Sequence, residues 1–304
     1  MIDISSKINT LRTATAFARL KLSAETIARI HANTIPKGNP LEVAKVAAVQ
    51  AAKNTAIIIP YCHPLPIDYV GVEYEFGEQW IDVRTTVKAI YKTGVEMEAL
   101  TAAAAAVLTL YDMMKMLDDT MALGEIRLVE KTGGKSDFRT SFGRPLRAAV
   151  LVMSDSIAAG KKSDRSGQLI VERLKREGVN VEDYRIIPDD TAQIVGLLKK
   201  YADEDKLDLV MTTGGTGLTP RDRTPEAMEH VIEREAPGIV EAARSYGQER
   251  TPYAMLSRAR AGTRGTTLIV NLPGSKKGVA DSLDALFPGL LHAFMMIHGG
   301  GHEP

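Results

Sequence analysis

The chain has 304 residues and a mass of 33.0 kDa, a length suited to two domains of about 150 residues each. Hydrophobic residues make up 44% and charged residues 25%, a composition typical of globular proteins with real cores. The charges of the 38 basic and 38 acidic side chains cancel. This excludes a protein that binds nucleic acid or anionic lipid through an overall excess of positive charge. We therefore expect neither a nucleic-acid partner nor a membrane partner.

Cysteine content and the apolar runs bear on the cellular compartment. Cys62 is the single cysteine, which excludes an intramolecular disulfide and a CxxC metal site. The first residues lack the apolar stretch of a signal peptide. The longest apolar run, 102–110, is about half of what crosses a bilayer. These features predict a soluble cytoplasmic protein.

The chain changes character near residue 140. Residues 133–145 are rich in glycine, proline and polar side chains, as linkers are. Residues 147–153 then form a short apolar run that resembles the first strand of a new domain. We predict one domain over 1–138, a linker over 139–146 and a second domain over 147–304.

The first half combines helices with an antiparallel hairpin. Its predicted elements are helices 23–32 and 40–53, strands 67–76 and 80–90, helix 95–118 and strand 125–131. Asn39 is placed to cap the second helix, and Gly77 with Glu78 forms the hairpin turn. This order predicts an α+β fold with helices on one face of an antiparallel sheet.

The second half alternates strands and helices. Its predicted strands are 147–153, 181–187, 207–213 and 267–271, and its predicted helices are 164–177, 191–202, 224–234, 237–246 and 276–286. Strands at this spacing predict an α/β, doubly wound, mostly parallel sheet. Ligands of such sheets bind beyond the carboxyl ends of the strands.

Two glycine-rich loops follow strands of this second half. The first consists of Gly214, Gly215, Thr216 and Gly217. Such a loop is either a structural turn or an anion-binding nest, and Thr224 with Pro225 resembles the N-cap and first turn of the next helix. The second loop, Gly274 and Ser275, precedes helix 276–286, whose dipole favours phosphate. The presence of both loops favours phosphate binding.

Acidic residues follow two other strands. Asp155 comes after strand 147–153 and Asp189 after strand 181–187. Carboxylates beside phosphate loops indicate Mg²⁺ between them. Asp155 and Asp190 have an alternative role as caps of helices or turns. The Walker and GxGxxG motifs are absent, so any nucleotide binds by another arrangement.

Segments 153–156, 187–190, 212–227, 256–258 and 271–275 resemble the MogA/MoaB family, over about residues 147–298. The resemblance implies a molybdopterin adenylyltransferase that uses ATP and Mg²⁺ and releases pyrophosphate. It also implies that Asp189 and Asp222 are the catalytic, metal-binding pair, and that both glycine loops bind substrate. Some MoaB-type members lack the second acidic residue, whereas this chain retains Asp222, which favours an active enzyme.

The first half also carries candidate acid–base residues. Asp112 and Lys115 lie together at i and i+3, as an acid–base pair or as a surface ion pair. Glu98 and Asp112 lie 14 residues apart on one predicted helix, about 21 Å along its axis, so they cannot share one small pocket within a subunit. His63 is either structural or catalytic. It does not fit a zinc site, because Cys62 is adjacent and no second cysteine exists.

Segments 3–7, 10–14, 50–53, 62–65, 92–102, 111–113 and 131–136 resemble the MoaC family, over residues 1–138. The resemblance implies a ferredoxin-like cyclic pyranopterin monophosphate synthase, without a cofactor, that acts on 3′,8-cyclo-7,8-dihydroguanosine triphosphate. It implies a hexamer of dimers with sites between subunits. The resemblance also implies that Asp112, Lys131, Lys37 and Lys115 are catalytic, and that Tyr61, Cys62, His63, Met97, Glu98 and Lys53 bind the substrate.

The combined interpretation is a bifunctional enzyme of molybdenum cofactor biosynthesis. We expect a homo-oligomer with hexameric or trimeric symmetry, since the second half resembles trimeric proteins. Met114 departs from the MoaC pattern, which often has cysteine there. The alternative is that the second half is a non-catalytic pterin-binding scaffold.

Overall fold

The computed structural model describes residues 1–299. The chain divides into two compact units, Met1–Asp137 and Phe138–Pro304. Each unit builds its own sheet and its own core.

The first unit is an α+β structure with one four-stranded antiparallel sheet. Its elements are β1 (Thr10–Lys21), α1 (Ala24–His31), α2 (Pro40–Lys53), α3 (Thr55–Ile58), β2 (Tyr69–Phe76), β3 (Trp80–Tyr91), α4 (Glu96–Met114) and β4 (Ala122–Thr132). The strand order is β2-β3-β1-β4. The antiparallel hairpin of β2 and β3 is confirmed, and so is the cap of α2, where Asn39 accepts from Leu41 N and Glu42 N. The ferredoxin-like assignment stays a prediction.

The central strand β1 is missing from the predicted elements. Its inward-facing positions alternate, but most of them are alanines: Ala14, Ala16 and Ala18 are fully buried. Alanine has a low strand propensity, so the alternation with threonine gave no strong β signal. The strand is nevertheless paired on both sides, with β3 and with β4.

Helix α4 forms the middle of the first core. It is long and apolar enough to cross a membrane by length and composition alone. Nine of its side chains are buried, however, and Ala102, Ala106 and Leu110 belong to the core cluster of this unit. That burial is the behaviour expected of the core helix of a globular domain.

The predicted end of this helix at residue 118 is wrong. The helix stops at Met114, and Asp118 lies in the following turn. There its carboxylate accepts hydrogen bonds from Ser23 N (2.7 Å), Thr26 Oγ1 (3.0 Å) and Thr120 Oγ1 (2.6 Å). Aspartate competes with helical backbone bonding through contacts of this kind.

The second unit is an α/β structure around a mixed six-stranded sheet, in the order β6-β5-β7-β10-β9-β8. Its elements are β5 (Arg147–Met153), α5 (Asp155–Ala158), α6 (Ser166–Arg176), β6 (Asn180–Ile187), α7 (Thr191–Lys199), β7 (Leu209–Thr213), α8 (Thr224–Glu229), β8 (Arg234–Glu235), α9 (Pro237–Gln248), β9 (Ala261–Arg264), β10 (Thr267–Leu272), α10 (Lys276–Leu286) and α11 (Ala293–Ile297). The first four strands in that order are parallel, and β9 and β8 pair antiparallel at one edge. Successive residues of β5 enter two different cores, so both faces of the sheet are covered.

Several details of the second unit differ from prediction. The predicted helix 191–202 ends earlier, because α7 stops at Lys199 and a π-helix follows over Lys200–Glu204. Helix α8 ends at Glu229 instead of residue 234, and Arg234 pairs with Thr263 as part of β8. Strands β8 and β9 were not predicted because they span only two and four residues, too short for a periodic pattern.

The segment predicted as a linker is attached to the second unit. Phe142 packs against that core, with its ring centroid 6.4 Å from that of Phe294. Arg144 donates twice to buried Asp208, at 2.7 Å each, and Leu146 is buried. The change of unit falls between Asp137 and Phe138.

Candidate active sites

The two glycine loops of the second unit pack backbone against backbone. Gly214 and Gly215 have φ of +106° and +63°, a region that glycine enters without strain. A Cβ on Gly214 would lie 2.1 Å from the carbonyl oxygen of Met153, and one on Gly274 would lie 3.3 Å from Gly214 Cα. The loops after β5, β7 and β10 therefore meet at one end of the sheet.

Asp189 enters this region from the end of β6. Its backbone N–H donates to Asp155 Oδ1 (3.1 Å), and the N–H of Asp155 donates to Asp189 Oδ2 (3.3 Å). The other oxygen, Oδ1, is buried and has no hydrogen-bond partner within residues 1–299. Burial raises the pKa of Asp189, and the nearby carboxylates of Asp155 and Asp222 raise it further. Such a carboxylate is stabilised by a cation or a hydrogen-bond donor.

A second unpaired polar atom lies beside it. Thr224 is fully buried, and its Oγ1 also has no hydrogen-bond partner in the described part of the chain. A Cβ on Gly215 would lie 2.2 Å from Thr224 Oγ1 and 3.3 Å from Asp189 Oδ1. Both unpaired atoms thus lie against the same glycine. The predicted N-cap role of Thr224 is wrong, because it is the first helical residue of α8 and its hydroxyl caps nothing.

Asp222 lies on the turn before α8. Its Oδ2 accepts from Thr219 N (3.0 Å) and Thr219 Oγ1 (2.6 Å), which fixes the position of that oxygen. A Cβ on Gly217 would lie 2.8 Å from that oxygen, so the glycine loop and Asp222 are neighbours. A pocket of about 520 Å³ opens beside Asp222 and Arg258.

Arg258 ties these segments together, a role that the sequence did not reveal. Its Nε donates to Gly217 O (2.8 Å), Nη2 to Asp222 O (2.5 Å) and Nη1 to Glu226. Its own backbone N–H donates to Thr216 O (2.9 Å). One guanidinium therefore bonds to the first glycine loop, the Asp222 turn and α8, and fixes their positions relative to one another.

Two of the polar residues singled out from the sequence are helix caps. Asp190 accepts from Gln193 N (2.8 Å), which confirms its capping role, and Ser275 Oγ accepts from Gly278 N (3.1 Å). The Ser275 hydroxyl therefore acts as an acceptor in the cap of α10. Asp155 does not cap α5; its carboxylate holds the Asp189 backbone instead.

In the first unit, five predicted site residues line one pocket of about 360 Å³. They are Tyr61, Cys62, His63, Met97 and Glu98. The N-terminal residues Met1, Ile2 and Ile4 also line it. His63 Nε2 lies 2.8 Å from the carbonyl oxygen of Ile2, and because a carbonyl only accepts, Nε2 carries the proton.

Two glutamates at this pocket have opposite pKa shifts. Burial raises the pKa of Glu98. Burial also acts to raise the pKa of Glu96, but the Lys131 ion pair (2.9 Å) and the charge of Arg12 outweigh it, so that pKa is lowered. Titratable neighbours whose pKa values are driven apart suit acid and base roles. Glu96 and Arg12 were not among the predicted site residues, although both lie in the segments that carry the MoaC resemblance.

A separate cluster lies at the other end of α4. Asp112 Oδ1 accepts from Lys115 Nζ (2.8 Å), and its Oδ2 accepts from Lys37 Nζ (2.9 Å). The hydrogen bonds from Lys115 and then Lys37 lower the pKa of Asp112 to about 2, and Asp112 in turn raises the pKa of Lys115. Both shifts favour the charged forms of Asp112 and Lys115.

The predicted residues of the first unit thus form two groups within one chain. Asp112, Lys37 and Lys115 are absent from the pocket that Glu98 lines, while Lys131 approaches that pocket through Glu96. Lys53 is exposed at the end of α2. Among residues 1–299, no group of three or more histidine, cysteine, aspartate or glutamate side chains is arranged to hold a metal ion.

Comparison with known proteins covers both units. The MoaC family matches residues 1–134, and the family described as "Probable molybdopterin binding domain" matches residues 149–292. The "Molybdenum cofactor biosynthesis bifunctional protein" of Chlorobaculum tepidum is 43% identical over 302 residues, which cover 99% of this chain and 96% of the relative. The chain belongs to this bifunctional family.

Further relatives match either the whole of this chain or one of its two halves. The protein of the same name from Synechococcus elongatus is 38% identical, covering 99% of this chain and 98% of the relative. The cyclic pyranopterin monophosphate synthase of Aquifex aeolicus is 47% identical over 137 residues, 45% of this chain and 54% of the relative. The crystal structure of the molybdopterin biosynthesis enzyme MoaB from Thermus thermophilus is 45% identical over 51% of this chain and 97% of its own, with a TM-score of 0.49.

Proposed function

We propose that the first unit is a cyclic pyranopterin monophosphate synthase and that the second unit adenylylates molybdopterin with Mg-ATP. The observation that carries the second assignment is the pair of buried, unpaired oxygens, Asp189 Oδ1 and Thr224 Oγ1, against Gly215. Unpaired buried polar atoms cost free energy, so a site that retains them is built for a ligand. The name of the matched domain and of the bifunctional relatives supports molybdopterin as that ligand.

The reaction of the second unit is an in-line displacement. The terminal phosphate oxygen of molybdopterin attacks the α-phosphorus of ATP, the bond from that phosphorus to the bridging oxygen breaks, and pyrophosphate leaves with the electron pair. Such a transfer needs positioning and charge stabilisation more than a protein nucleophile. The N–H groups of the two glycine loops and of the α10 N-terminus supply hydrogen bonds to phosphate oxygens.

The acidic residues fit a magnesium ion. Asp189 offers a buried oxygen that has no hydrogen-bond partner within residues 1–299, and Thr219 holds one oxygen of the Asp222 carboxylate in place. Mg²⁺ favours one or two carboxylates plus substrate phosphates, so two aspartates suffice. When bound, the ion neutralises phosphate charge. The Asp155 backbone N–H and Thr219 each donate to one of these carboxylates and help to orient it.

The first unit combines cations with a glutamate pair. Lys37 and Lys115 flank Asp112, and Lys131 lies beside Glu96 at the pocket. Loss of pyrophosphate from a triphosphate calls for ammonium groups, and the ring rearrangement calls for proton donors and acceptors. Glu98 and Glu96 suit the acid and base roles. We propose that neighbouring subunits bring the Asp112 cluster of one chain to the pocket of another.

The test measures both reactions in the full chain. Wild type with molybdopterin, ATP and Mg²⁺ releases pyrophosphate, and Asp222→Asn lowers that rate by at least about 100-fold, because a carboxylate at the phosphates is lost. The first reaction of the same Asp222→Asn protein serves as the control and stays at the wild-type rate. Absence of pyrophosphate release in the wild type contradicts the proposal and favours a pterin-binding scaffold. Loss of both reactions in the variant indicates misfolding.

A further inference from the structure

Two successive carbonyl groups at the second glycine loop accept hydrogen bonds from side-chain hydroxyls. Pro273 O accepts from Thr213 Oγ1 (2.6 Å), and Gly274 O accepts from Ser166 Oγ (2.9 Å). Thr213 is the last residue of β7 and Ser166 is the first residue of α6, and both are buried. Two separate elements of the second unit therefore hold the carbonyl side of this loop.

Each of these carbonyls belongs to a peptide group that also carries an N–H. The Pro273 carbonyl shares its peptide with the N–H of Gly274, and the Gly274 carbonyl shares its peptide with the N–H of Ser275. Both peptides are trans, so each N–H points away from the hydroxyl that holds the carbonyl. Within residues 1–299, neither N–H donates to a protein acceptor. The two hydroxyls thus direct two free N–H groups to the opposite side of the loop.

Glycine at position 274 makes this orientation easy to lose. A peptide group next to glycine rotates at little cost, because glycine has no Cβ to restrict its backbone. A Cβ at this position would lie only 3.3 Å from Gly214 Cα, so a larger residue would crowd the first glycine loop. A rotated peptide would present a carbonyl oxygen in place of an N–H, and a carbonyl oxygen cannot donate to phosphate. The bonds from Thr213 and Ser166 oppose that rotation.

Ser166 is itself held in place by Asp164. The buried carboxylate of Asp164 accepts from Ser166 N (3.0 Å), from Gly167 N (3.0 Å) and from the hydroxyl of Tyr184. Tyr184 lies on β6, so this carboxylate joins the start of α6 to the sheet. The hydroxyl that reaches Gly274 therefore comes from a fixed support.

We propose that Thr213 and Ser166 are positioning residues that orient the N–H groups of Gly274 and Ser275 toward a phosphate of the substrate. The inference rests on the proposed adenylyltransferase function and explains how its second glycine loop is aligned. Neither hydroxyl contacts the phosphate in this arrangement, because each donates to a carbonyl on the other side of the loop. Removal of a hydroxyl leaves both N–H groups present and changes their orientation.

The experiment measures equilibrium binding of inorganic pyrophosphate to the full chain in the presence of Mg²⁺. Thr213→Val keeps the shape of the side chain and removes the hydroxyl, whereas Thr213→Ser keeps the hydroxyl. We expect Thr213→Val to weaken binding about tenfold, the effect of one lost hydrogen bond, and Thr213→Ser to bind as wild type does. Ser166→Ala is expected to weaken binding by a similar factor. Pyrophosphate held by the lysines of the first unit contributes equally in every protein, so only the differences count.

Thr267→Val is the matched control. Thr267 is fully buried at the start of β10, and its Oγ1 donates to Leu207 O (2.5 Å), the same kind of bond at the opposite end of the strand. We expect Thr267→Val to lower the melting temperature and to leave pyrophosphate binding unchanged. If it weakens binding as much as Thr213→Val does, the effect is one of stability and the inference is wrong.

Each result decides the inference. Equal binding by wild type and folded Thr213→Val overturns it, and so does weak binding by Thr213→Ser. If Thr213→Val does not fold, Ser166→Ala makes the same comparison with wild type. Binding is measured without molybdopterin or ATP, so the comparison stays readable if the wild type releases no pyrophosphate. In that case the adenylyltransferase assignment fails, while weaker binding by Thr213→Val still supports the positioning role.

Discussion

Thr224 has a buried hydroxyl with no hydrogen-bond partner among residues 1–299, a cost in free energy that folding alone does not explain. The protein could fill the same volume with valine, which has the same shape and no unpaired oxygen. The position of Thr224 Oγ1 against Gly215, beside the unpaired Asp189 Oδ1, indicates that the hydroxyl serves a ligand. Such a hydroxyl lowers the stability of the fold while it serves activity, so its two effects can be measured separately.

Replacement of Thr224 by valine tests this separation. We expect the melting temperature to stay level or rise, because removal of an unpaired buried hydroxyl relieves up to about 1 kcal/mol. We expect kcat/KM for pyrophosphate release to fall about tenfold. Thermal melts and initial rates on the same preparation check both effects. A valine variant with full activity would show that the hydroxyl is only a packing defect.

Asp118 makes the stability of the first unit depend on pH. Burial acts to raise its pKa, but hydrogen bonds from Thr120 and Ser23 outweigh that effect and hold the pKa well below its usual range. A carboxyl whose pKa is depressed by folding contributes stability above its unfolded pKa, near 3.8. That contribution is lost as the pH falls through the folded pKa.

We therefore expect Asp118→Asn to lower the free energy of unfolding by about 1–3 kcal/mol at pH 7, with a smaller difference below pH 3. Trp80 is the single tryptophan and lies in the first unit, so its fluorescence during urea unfolding reports on that unit alone. A difference between variant and wild type that is the same at pH 7 and pH 2.5 contradicts the assignment.

At the scale of elements, the second site depends on how loops are held together. Arg258 bonds two main-chain carbonyls and Glu226 with three different nitrogens. A lysine carries one nitrogen and cannot reproduce this fork. With lysine at position 258, we expect the Asp222 turn to be held by fewer hydrogen bonds, while the Asp222 carboxylate itself is still present.

Arg258→Lys is accordingly expected to lower kcat for pyrophosphate release by about 10- to 100-fold, the effect of two lost charged hydrogen bonds. The KM for ATP changes less, because the substitution affects the alignment of Asp222 more than the glycine N–H groups. Arg176→Lys, on the exposed surface of α6, is the matched control. A purely structural role predicts a lower melting temperature with unchanged kcat.

The helices and strands also show which parts of the fold could be predicted from the sequence and which could not. Helices with capped, periodic patterns, such as α2 and α10, have the predicted bounds. Strand β1 was missed because its buried face consists mainly of alanines, and β8 was missed because it has two residues. Arg258 lies in segment 256–258, which carries the resemblance, but its role was not recognised because two of its side-chain bonds run to the backbone carbonyls of Gly217 and Asp222, which a residue pattern does not show.

At the scale of the whole first unit, two predicted site residues of one chain lie in separate places. Glu98 lies in the first turn of α4 and Asp112 near its end, and of these two only Glu98 lines the pocket. The sequence predicted this separation from helical rise alone. The proposed completion of the pocket by a neighbouring chain depends on assembly, which the spacing of residues along one helix does not encode.

Mixing of two inactive variants tests the shared site. Glu98→Gln and Asp112→Ala are each expected to abolish formation of cyclic pyranopterin monophosphate. Coexpression of the two is expected to restore a fraction of wild-type activity, since mixed assemblies contain sites that receive Glu98 from one chain and Asp112 from another. If every site lies within one subunit, the mixture stays as inactive as each parent.

Residues 138–146, which pack on the core of the second unit, determine where the chain can be divided for separate expression of its halves. A fragment that starts at Arg147 lacks Phe142 and Arg144, which leaves Phe294 without its aromatic neighbour and buried Asp208 without its guanidinium. A fragment that starts at Phe138 keeps both. Separate production of the two halves should therefore use the boundary at Phe138, and poor yield from a shorter piece would reflect the missing anchor instead of dependence on the other half.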